Sequence, residues 1–545
     1  MGSVGRLLRG QLYGSQVGMA LGIGFLCMSL TPSLLPRTWL VQGLISGVST
    51  ATGYAIGALA ARLVPFAPRL RLRRAGWYAL LVVGVPLVGT LVWQGTRWQR
   101  QLHGLMGAPV PERVGYLRAG LLSCVVFAVL VVLARGLRAA ARELGHLISR
   151  WLPPRSAHTL SGALVALVAL GMLDAVVYDP ALDLAVATSQ SINDGFNPRV
   201  SAPASPARSG GPGSAVSWSS LGLQGRAFVS GGPTLDQLRA FNGAPARPPV
   251  RVYVGLHSAP DLRAEAALAV RELVRTGGFA RQVLCVITTT GTGWVDPRAA
   301  EALEYLYDGD TAQVAIQYSL LPSWLSYLLE KDKAQAAGRE LFDQVYAYWS
   351  ALPAEHRPKL LLFGESLGSF GGEAPFPGIE DLAGRVDGIL WAGPLGANRL
   401  WSQVVAGRDP GSREVLPSYQ QGRTVRFADS TSDLIGLADR WPTPRVVYLQ
   451  HASDPATWWS PTLLVRPPDW LREPHGRDVL PVMRWYPFVT FWQVSADLVI
   501  ADHTALGHGH RYGGELAAAW AAIVPPAGWT QLDTQRLADL VDSHG

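Results

Sequence analysis

The sequence predicts two structural parts, a bundle of about five transmembrane helices followed by an α/β domain with a mostly parallel sheet. Three observations support this prediction. Apolar stretches fill the first 180 residues, acidic residues are almost absent there, and short β-rich runs alternate with helical patterns from Pro249 onward. Strands that alternate with helices favour a parallel sheet with both of its faces covered.

The N-terminal part contains five windows of the length that crosses a bilayer, about 20 mostly apolar residues each. They cover approximately residues 16–35, 39–61, 76–95, 116–135 and 159–178. The second window carries Gly43, Gly47 and Gly57, small residues that predict close packing between membrane helices. After the fourth window, residues 134–151 are amphipathic, and we expect a separate helix on the membrane surface there.

The basic charge of the chain is confined to its N-terminal part. Residues 1–178 contain 17 arginines, no lysine and only three acidic residues, a net charge of +14, whereas the whole chain carries +7. The remainder therefore carries −7 and is mildly acidic. Because arginines beside apolar spans follow the positive-inside rule, the basic charge needs no acidic partner, and we expect no nucleic acid binding.

The same arginines predict an orientation in the membrane. With the N-terminus inside, twelve of them lie in inner segments and five in outer loops, the distribution that the positive-inside rule favours. An odd number of spans then places everything after residue 180 outside the cytoplasm. We therefore expect an integral, multi-pass protein of a cell membrane. Only three of the 47 basic residues are lysine, a bias that indicates GC-rich coding and a bacterial source.

Three regions are expected: a transmembrane domain over residues 1–180, a linker and lead-in over 181–245, and the α/β domain over 246–545. The linker prediction rests on residues 198–213 (PRVSAPASPARSGGPG), whose composition cannot bury a core of its own. Apolar runs predict strands at 250–256, 282–290, 359–364, 388–393 and 445–450. Helical patterns cover 261–277, 323–351 and, as the last helix, 513–524.

One serine has the sequence context of a catalytic nucleophile. Residues 364–368 read Gly-Glu-Ser-Leu-Gly and fit the pattern G-x-S-x-G around Ser366. In a chain with 59 glycines the pattern alone is weak, but here it follows an apolar strand and precedes further small residues. This context predicts a tight turn between a strand and a helix, with Ser366 held in a strained conformation at its tip.

Taken together, these residues resemble the α/β-hydrolase superfamily over about residues 250–530. More narrowly, the chain resembles bacterial membrane-bound α/β-hydrolases with an N-terminal multi-span domain, through GTGW (291–294), GESLGS (364–369) and GHGHRYG (507–513). The resemblance implies an α/β-hydrolase fold and a catalytic triad in the chain order serine, acid, histidine. It also implies a lid-like insertion at about residues 397–444.

The resemblance places the acid after a strand that follows the nucleophile. Asp454 comes directly after the strand predicted at 445–450 and is our candidate, with Asp429 and Asp433 as alternatives. The base is expected on a loop before the last predicted helix, where two histidines occur. His510 matches the superfamily's G-x-G-H ending and is favoured, while His508 matches a shorter G-H-G pattern and stays a candidate.

The resemblance also implies an oxyanion hole made of two backbone N–H groups. One is assigned to Leu367, directly after the nucleophile, and the other to Leu256, after the first strand of the domain. This strand ends in Val254-Gly255 where relatives carry His-Gly, a departure that affects the second assignment. Residues 288–294 are expected at the rim of the same cleft. Two histidines beside Asp502 and His503 also raise a metal site, but that reading does not explain the serine turn, and we predict no metal and no cofactor.

The function predicted from these residues is that of a membrane-anchored serine esterase, which cleaves acyl esters through an acyl-enzyme intermediate on Ser366. Six tryptophans around and after Asp454 favour a lipidic or amphiphilic ester: Trp441, Trp458, Trp459, Trp470, Trp485 and Trp492. They are equally compatible with an ordinary core. An envelope acyltransferase would use the same triad. A transporter or receptor whose hydrolase-like domain only binds is less favoured, because the spans contain a single ionisable residue that looks buried, Asp174.

Overall fold

The computed structural model of the chain describes residues 16–63, 74–109, 115–435 and 441–543. The chain divides into two compact units. The first contains the residues up to Leu184 together with Pro461–Arg472 and Asp478–Ile500. The second contains Ala185–Ser460, Glu473–Arg477 and the residues from Ala501 onward. Two segments from the C-terminal third therefore belong to the N-terminal unit.

The N-terminal helices are α1 (Gln16–Ser29), α2 (Trp39–Leu63), α3 (Arg74–Leu105), α4 (Tyr116–Ile148), α5 (Pro154–Leu173) and α6 (Asp179–Asp194). A π-helical turn at Asp174–Tyr178 joins α5 to α6. Four helical stretches are long and apolar enough to cross a membrane: Trp39–Ala61, Gly76–Leu105, Tyr116–Ile148 and Pro154–Asp194. The first of the five predicted spans corresponds to α1, which has 14 described residues.

Two of these helices are longer than their apolar windows. Residues 134–148 continue α4 instead of forming a separate surface helix, and the last stretch continues through α6 to Asp194. The physical reason is that polar residues end an apolar window without ending a helix. Arg, Ala, Leu and Glu, which make up most of residues 134–144, are all good helix formers.

Small residues of α2 allow its neighbours to approach closely, as their spacing predicted. A Cβ atom on Gly47 would lie 2.6 Å from Cβ of Val126, in α4. A Cβ atom on Gly57 would lie 2.7 Å from the carbonyl oxygen of Val17, in α1. Any larger residue at these two positions would push the helices apart.

The second unit is built around a sheet of seven parallel strands. They are β1 (Val250–Val254), β2 (Val283–Thr288), β3 (Thr311–Ile316), β4 (Lys359–Glu365), β5 (Gly388–Ala392), β6 (Val425–Ala428) and β7 (Arg445–Leu449). Their order across the sheet is β1-β3-β2-β4-β5-β7-β6, and every neighbouring pair is parallel. Nearly all strand residues are buried, which explains their continuous apolar runs.

Helices connect the strands and close the unit. They are α7 (Gly222–Ser230), α8 (Leu235–Asn242), α9 (Leu262–Arg275), α10 (Pro297–Leu306), α11 (Ser323–Ala351), α12 (Leu367–Gly372), α13 (Arg399–Ala406), α14 (Pro455–Trp458), α17 (Gly514–Ile523) and α18 (Gln531–Ser543). Two further helices, α15 (Asp469–Arg472) and α16 (Val489–Val499), belong to the first unit. The α/β-hydrolase fold predicted from the sequence is therefore confirmed, with the predicted helix at 323–351 matched by α11.

Sequence patterns missed two strands and several helices. In β3 the polar residues Thr311 and Gln313 interrupt the apolar run, yet both are buried, and the Gln313 amide donates to Ala300 O and to Glu304 Oε1. The strand β6 has only four residues and lies at the edge of the sheet, inside the predicted lid-like insertion. Among the missed helices, α18 follows the helix that was predicted to be the last.

Part of the Pro-rich segment at 198–213 lies against the first strand. The amide of Ser209 donates to the Arg251 carbonyl at 3.1 Å, and the amide of Arg251 donates to the Ala207 carbonyl at 3.2 Å. A segment that cannot form its own core can still pair with the exposed edge of an existing sheet, because pairing requires only backbone groups.

Candidate active site

Ser366 occupies a strained turn between β4 and α12. Its backbone angles are φ +55° and ψ −123°, a conformation that a residue with a side chain rarely adopts. The amide of Ser366 donates to the Ala392 carbonyl at the end of β5, at 2.9 Å. The turn thus holds the serine at the carboxyl edge of the sheet, between the ends of two adjacent strands.

The glycines of the motif are required by close packing around this turn. A Cβ atom on Gly364 would lie 2.5 Å from the carbonyl oxygen of Gly368. A Cβ atom on Gly368 would overlap the carbonyl oxygen of Thr288, at the end of β2. The pattern G-x-S-x-G therefore reflects two backbone contacts that leave no space for a side chain.

Asp454 and His510 form a hydrogen-bonded pair at the same edge of the sheet. Nδ1 of His510 lies 2.7 Å from Oδ2 of Asp454, which also accepts a hydrogen bond from the Tyr512 hydroxyl at 2.8 Å. Oδ1 of Asp454 caps α14 by accepting from the amide of Ala456 at 2.9 Å. This carboxylate is fully buried and holds the imidazole ring with its Nδ1 proton directed at the acid.

The other candidate residues lie elsewhere. The backbone of His508 forms a bridge with Arg511, and its carbonyl accepts from the Thr504 hydroxyl. Asp429 makes an ion pair with Arg477 at 3.5 Å. Asp433 caps a short turn, accepting from the amide of Asp429 at 2.9 Å. Of the two candidate histidines, the structure brings His510 against Asp454.

The last residue of β5 and the residue after it contact Ser366 and His510. Ser366 is hydrogen-bonded to Ala392, and the next residue, Gly393, lies against the imidazole ring of His510. A Cβ atom on Gly393 would lie 2.5 Å from Cε1 of His510, so only glycine fits there. Gly393 also has a positive φ of +52°, which glycine adopts without strain. The ends of β4 and β5 thus bring Ser366 and His510 to the same small region.

The ionisation of His510 is controlled by its acidic partner. Burial by itself lowers the pKa of His510, but the charge of Asp454 and the hydrogen bond to it outweigh this effect and raise that pKa to about 10. The direction is the expected one, because a carboxylate in contact with imidazole stabilises its protonated form.

Two further buried acids, Asp296 and Glu365, lie beside this site. Asp296 caps α10 by accepting from the amide of Arg298 at 2.6 Å, and its charge acts on Glu365, the residue before the serine. Burial, followed by the charge of Asp296, raises the pKa of Glu365 well above its usual value. Burial raises the pKa of Asp296 to about 6.

Only one of the two predicted oxyanion donors lies next to Ser366. Leu367 opens α12, and the amides of a first helical turn have no partner within the helix. Leu256 follows β1, which is three strand spacings from β4, about 14 Å. Its amide donates to Gln317 Oε1 at 3.4 Å. The structure therefore does not bring Leu256 to the serine. The missed strand β3 explains the misplacement, because it separates β1 from β2.

The loop after β2 lies next to the serine turn instead. The strand β2 pairs directly with β4, and the carbonyl of Thr288 contacts Gly368. The turn that follows is closed by a hydrogen bond from the amide of Thr290 to the carbonyl of Trp294. Within the described residues, no group of three or more His, Cys, Asp or Glu side chains could hold a metal ion.

A parallel sheet that carries a strained serine after its central strand, with an acid and a histidine on later loops of the same edge, defines the α/β-hydrolase class of folds. Comparison with protein families agrees. The family described as "Alpha/beta-hydrolase family" matches residues 250–537, and the one described as "Alpha/beta-hydrolase family N-terminus" matches residues 30–233. The first match covers more than half of the chain, which belongs to this α/β-hydrolase family. Comparison with curated proteins and with solved structures finds no match.

Proposed function

We propose that this chain is a membrane-anchored serine ester hydrolase that forms an acyl-enzyme intermediate on Ser366. The observation that carries the proposal is the strained serine after β4 at the same sheet edge as the hydrogen-bonded Asp454–His510 pair. Membership of the α/β-hydrolase family supports the reaction class. Ester cleavage is the chemistry that a serine, a histidine and an acid perform together.

In the first half of the proposed reaction, the hydroxyl oxygen of Ser366 attacks the carbonyl carbon of the ester. Nε2 of neutral His510 accepts the hydroxyl proton, and Asp454 stabilises the imidazolium that results. The tetrahedral intermediate collapses as the C–O bond to the alcohol breaks. His510 returns the proton to the leaving alcohol, and the acyl group stays on Ser366 as an ester.

In the second half, a water molecule attacks the acyl-enzyme while His510 again accepts the proton. The intermediate then releases a carboxylic acid, and Ser366 regains its proton. The negative oxygen of both intermediates requires backbone N–H donors. We assign one donor to Leu367, and we assign the second to the loop at residues 288–294, since β2 is the direct neighbour of β4.

The proposed substrate is a lipidic or amphiphilic ester. Support comes from the four long apolar helices, which expose large apolar side chains such as Leu117, with 80% of its surface exposed. Such a surface is favourable in lipid and unfavourable in water. The six tryptophans around and after Asp454 add nothing to this argument, because Trp441, Trp458 and Trp470 are buried and Trp459, Trp485 and Trp492 are half-buried.

Covalent labelling of the full chain in detergent tests the proposal. A fluorophosphonate probe should label the wild-type protein and hydrolysis of 4-nitrophenyl butyrate should be detectable, while Ser366→Ala should lose both. Ser350→Ala is the matched control, since among the described residues the Ser350 hydroxyl bonds only to Ala347 of its own helix. Labelling of Ser366→Ala at the wild-type rate would overturn the mechanism.

Addition of an alcohol acceptor distinguishes a hydrolase from an acyltransferase. An acyltransferase moves the acyl group to the alcohol and forms a new ester, whereas a hydrolase forms free acid.

A further inference from the structure

A second histidine, His451, lies completely buried between the acid and the base of the site. It follows β7, three residues before Asp454, and none of its surface is exposed. Its ring nitrogens contact two different parts of the chain: Nδ1 lies 2.9 Å from the carbonyl oxygen of Gly509, and Nε2 lies 2.9 Å from Oε1 of Glu515. Gly509 directly precedes His510.

Both of these partners are hydrogen-bond acceptors. A backbone carbonyl can only accept, and the Glu515 carboxylate is fixed as an acceptor on its other oxygen too, by the amide of Gly513 at 3.1 Å. Two acceptors require two N–H donors, which an imidazole ring with a proton on each nitrogen provides. Burial by itself raises the pKa of Glu515, but the hydrogen bond from His451 outweighs this and lowers it, in agreement with a charged pair.

Further contacts join the same two segments. The amide of Gly509 donates to the hydroxyl of Ser453 at 2.8 Å. The ring of His451 stacks on the ring of Tyr512, with centroids 4.3 Å apart, and the Tyr512 hydroxyl donates to Asp454. The segment that carries the acid and the loop that carries the base are therefore tied together on both sides of their own hydrogen bond.

We propose that His451 is a positioning residue for His510: as a doubly protonated ring it bridges the Gly509 carbonyl and the Glu515 carboxylate, and it thereby sets the distance between Asp454 and the catalytic imidazole. The inference rests on the proposed function of Ser366. A physical need for such a bridge exists, because most of the chain between Ser460 and Ala501 belongs to the other compact unit. No short stretch of chain therefore holds the loop of Asp454 and the loop of His510 together.

The test compares variants of the bridge in the full chain, using the fluorophosphonate labelling rate and the kinetics of a soluble ester. His451→Gln keeps a donor but cannot serve both acceptors, and we expect labelling and kcat to fall about 100-fold, the cost of a base misplaced by about 1 Å, with KM nearly unchanged. His356→Gln, an exposed histidine before the amino end of β4, is the control and should behave like wild type.

A double variant tests the charge pairing of His451 with Glu515. Glu515→Gln leaves the cation of His451 buried without its counter-charge, whereas the double variant His451→Gln/Glu515→Gln removes both charges. We expect the double variant to label faster than Glu515→Gln alone. Rescue of this kind is not expected from residues that act independently, since their effects would add.

A variant that keeps the charged pair covers the case in which His451→Gln does not fold. Ser453→Ala removes the tie to the Gly509 amide, and it should also lower kcat with KM nearly unchanged. Wild-type labelling in both His451→Gln and Ser453→Ala would overturn the inference, as would a purely additive double variant. These outcomes differ from failure of the proposed function, in which the wild-type protein is not labelled at all or Ser366→Ala is labelled equally well.

Discussion

Nδ1 of His510 lies 2.7 Å from Oδ2 of Asp454, although 56 positions separate the two residues in the sequence. Most of the intervening residues belong to the first compact unit, whereas both partners belong to the second. The pair therefore depends on how the chain returns to the sheet edge, and not on any local turn. Hydrogen bonds from Tyr512 and Ala456 occupy two further acceptor positions of the carboxylate.

Replacement of the acid should inactivate the enzyme without unfolding it. In Asp454→Asn the amide can no longer hold the Nδ1 proton of His510 in the productive tautomer, and we expect kcat to fall by about four orders of magnitude. Ester hydrolysis and thermal unfolding are measured together. Asp433→Asn, at a capping acid that contacts neither His510 nor Ser366, is the control and should retain full activity.

Alanine variants of the two histidines should behave differently. His510→Ala removes the ring that contacts Asp454, so labelling of Ser366 should fall by several orders of magnitude. His508→Ala should keep most of the activity, since the backbone of His508 provides the contacts with Thr504 and Arg511. Loss of activity in His508→Ala with retention in His510→Ala would reverse the assignment of the base.

The pH dependence should report the raised pKa of His510. A general base must be neutral at Nε2, so kcat/KM should rise with pH as the imidazolium of the free enzyme loses its proton. Because contact with Asp454 raises the pKa of this ring from 6.5, the midpoint of the rise should lie above pH 6.5. Initial rates between pH 5 and pH 10 would show this, and a midpoint at or below 6.5 would contradict it.

The packing of the serine turn should make one glycine intolerant of substitution. A methyl group in Gly368→Ala would overlap the Thr288 carbonyl, and overpacking of this kind costs about 1–3 kcal/mol. A lower midpoint of thermal unfolding is the expected result. In Gly378→Ala the nearest atom to the added methyl is the carboxylate of Glu380, the end of a flexible side chain that can move aside. Equal stability of the two variants would show that the turn can relax.

Reporter fusions decide the orientation of the catalytic unit. If α1 crosses the membrane together with the four longer stretches, five spans place that unit outside the cytoplasm, as the arginine distribution predicts. An alkaline phosphatase fused after residue 197, beyond the end of α6, should then be active, because it folds only outside. A silent phosphatase with a fluorescent cytoplasmic reporter at the same position would indicate four spans and an intracellular site.

Sequence patterns located the elements that have a strong local cause. The strand before Ser366 is a continuous apolar run, and the glycines around the serine mark contacts that exclude a side chain. Both features can be recognised within a short segment of the sequence. By contrast, β3 was missed because Gln313 looks incompatible with a buried strand until its partners, Ala300 and Glu304, are known. The error with Leu256 followed from this, since strand order cannot be derived when a strand is missing.

By itself, the sequence determined an apolar helical part, an α/β-hydrolase part after it, and the serine turn, because hydrophobic length, periodicity and glycine spacing are properties of short segments. The tertiary structure decided the order of the strands, the pairing of Asp454 with His510 instead of His508, and the burial of His451 between Gly509 and Glu515. The physical reason is that each of these depends on contacts between residues far apart in the chain. Such contacts are set by packing around a common core and not by local preference.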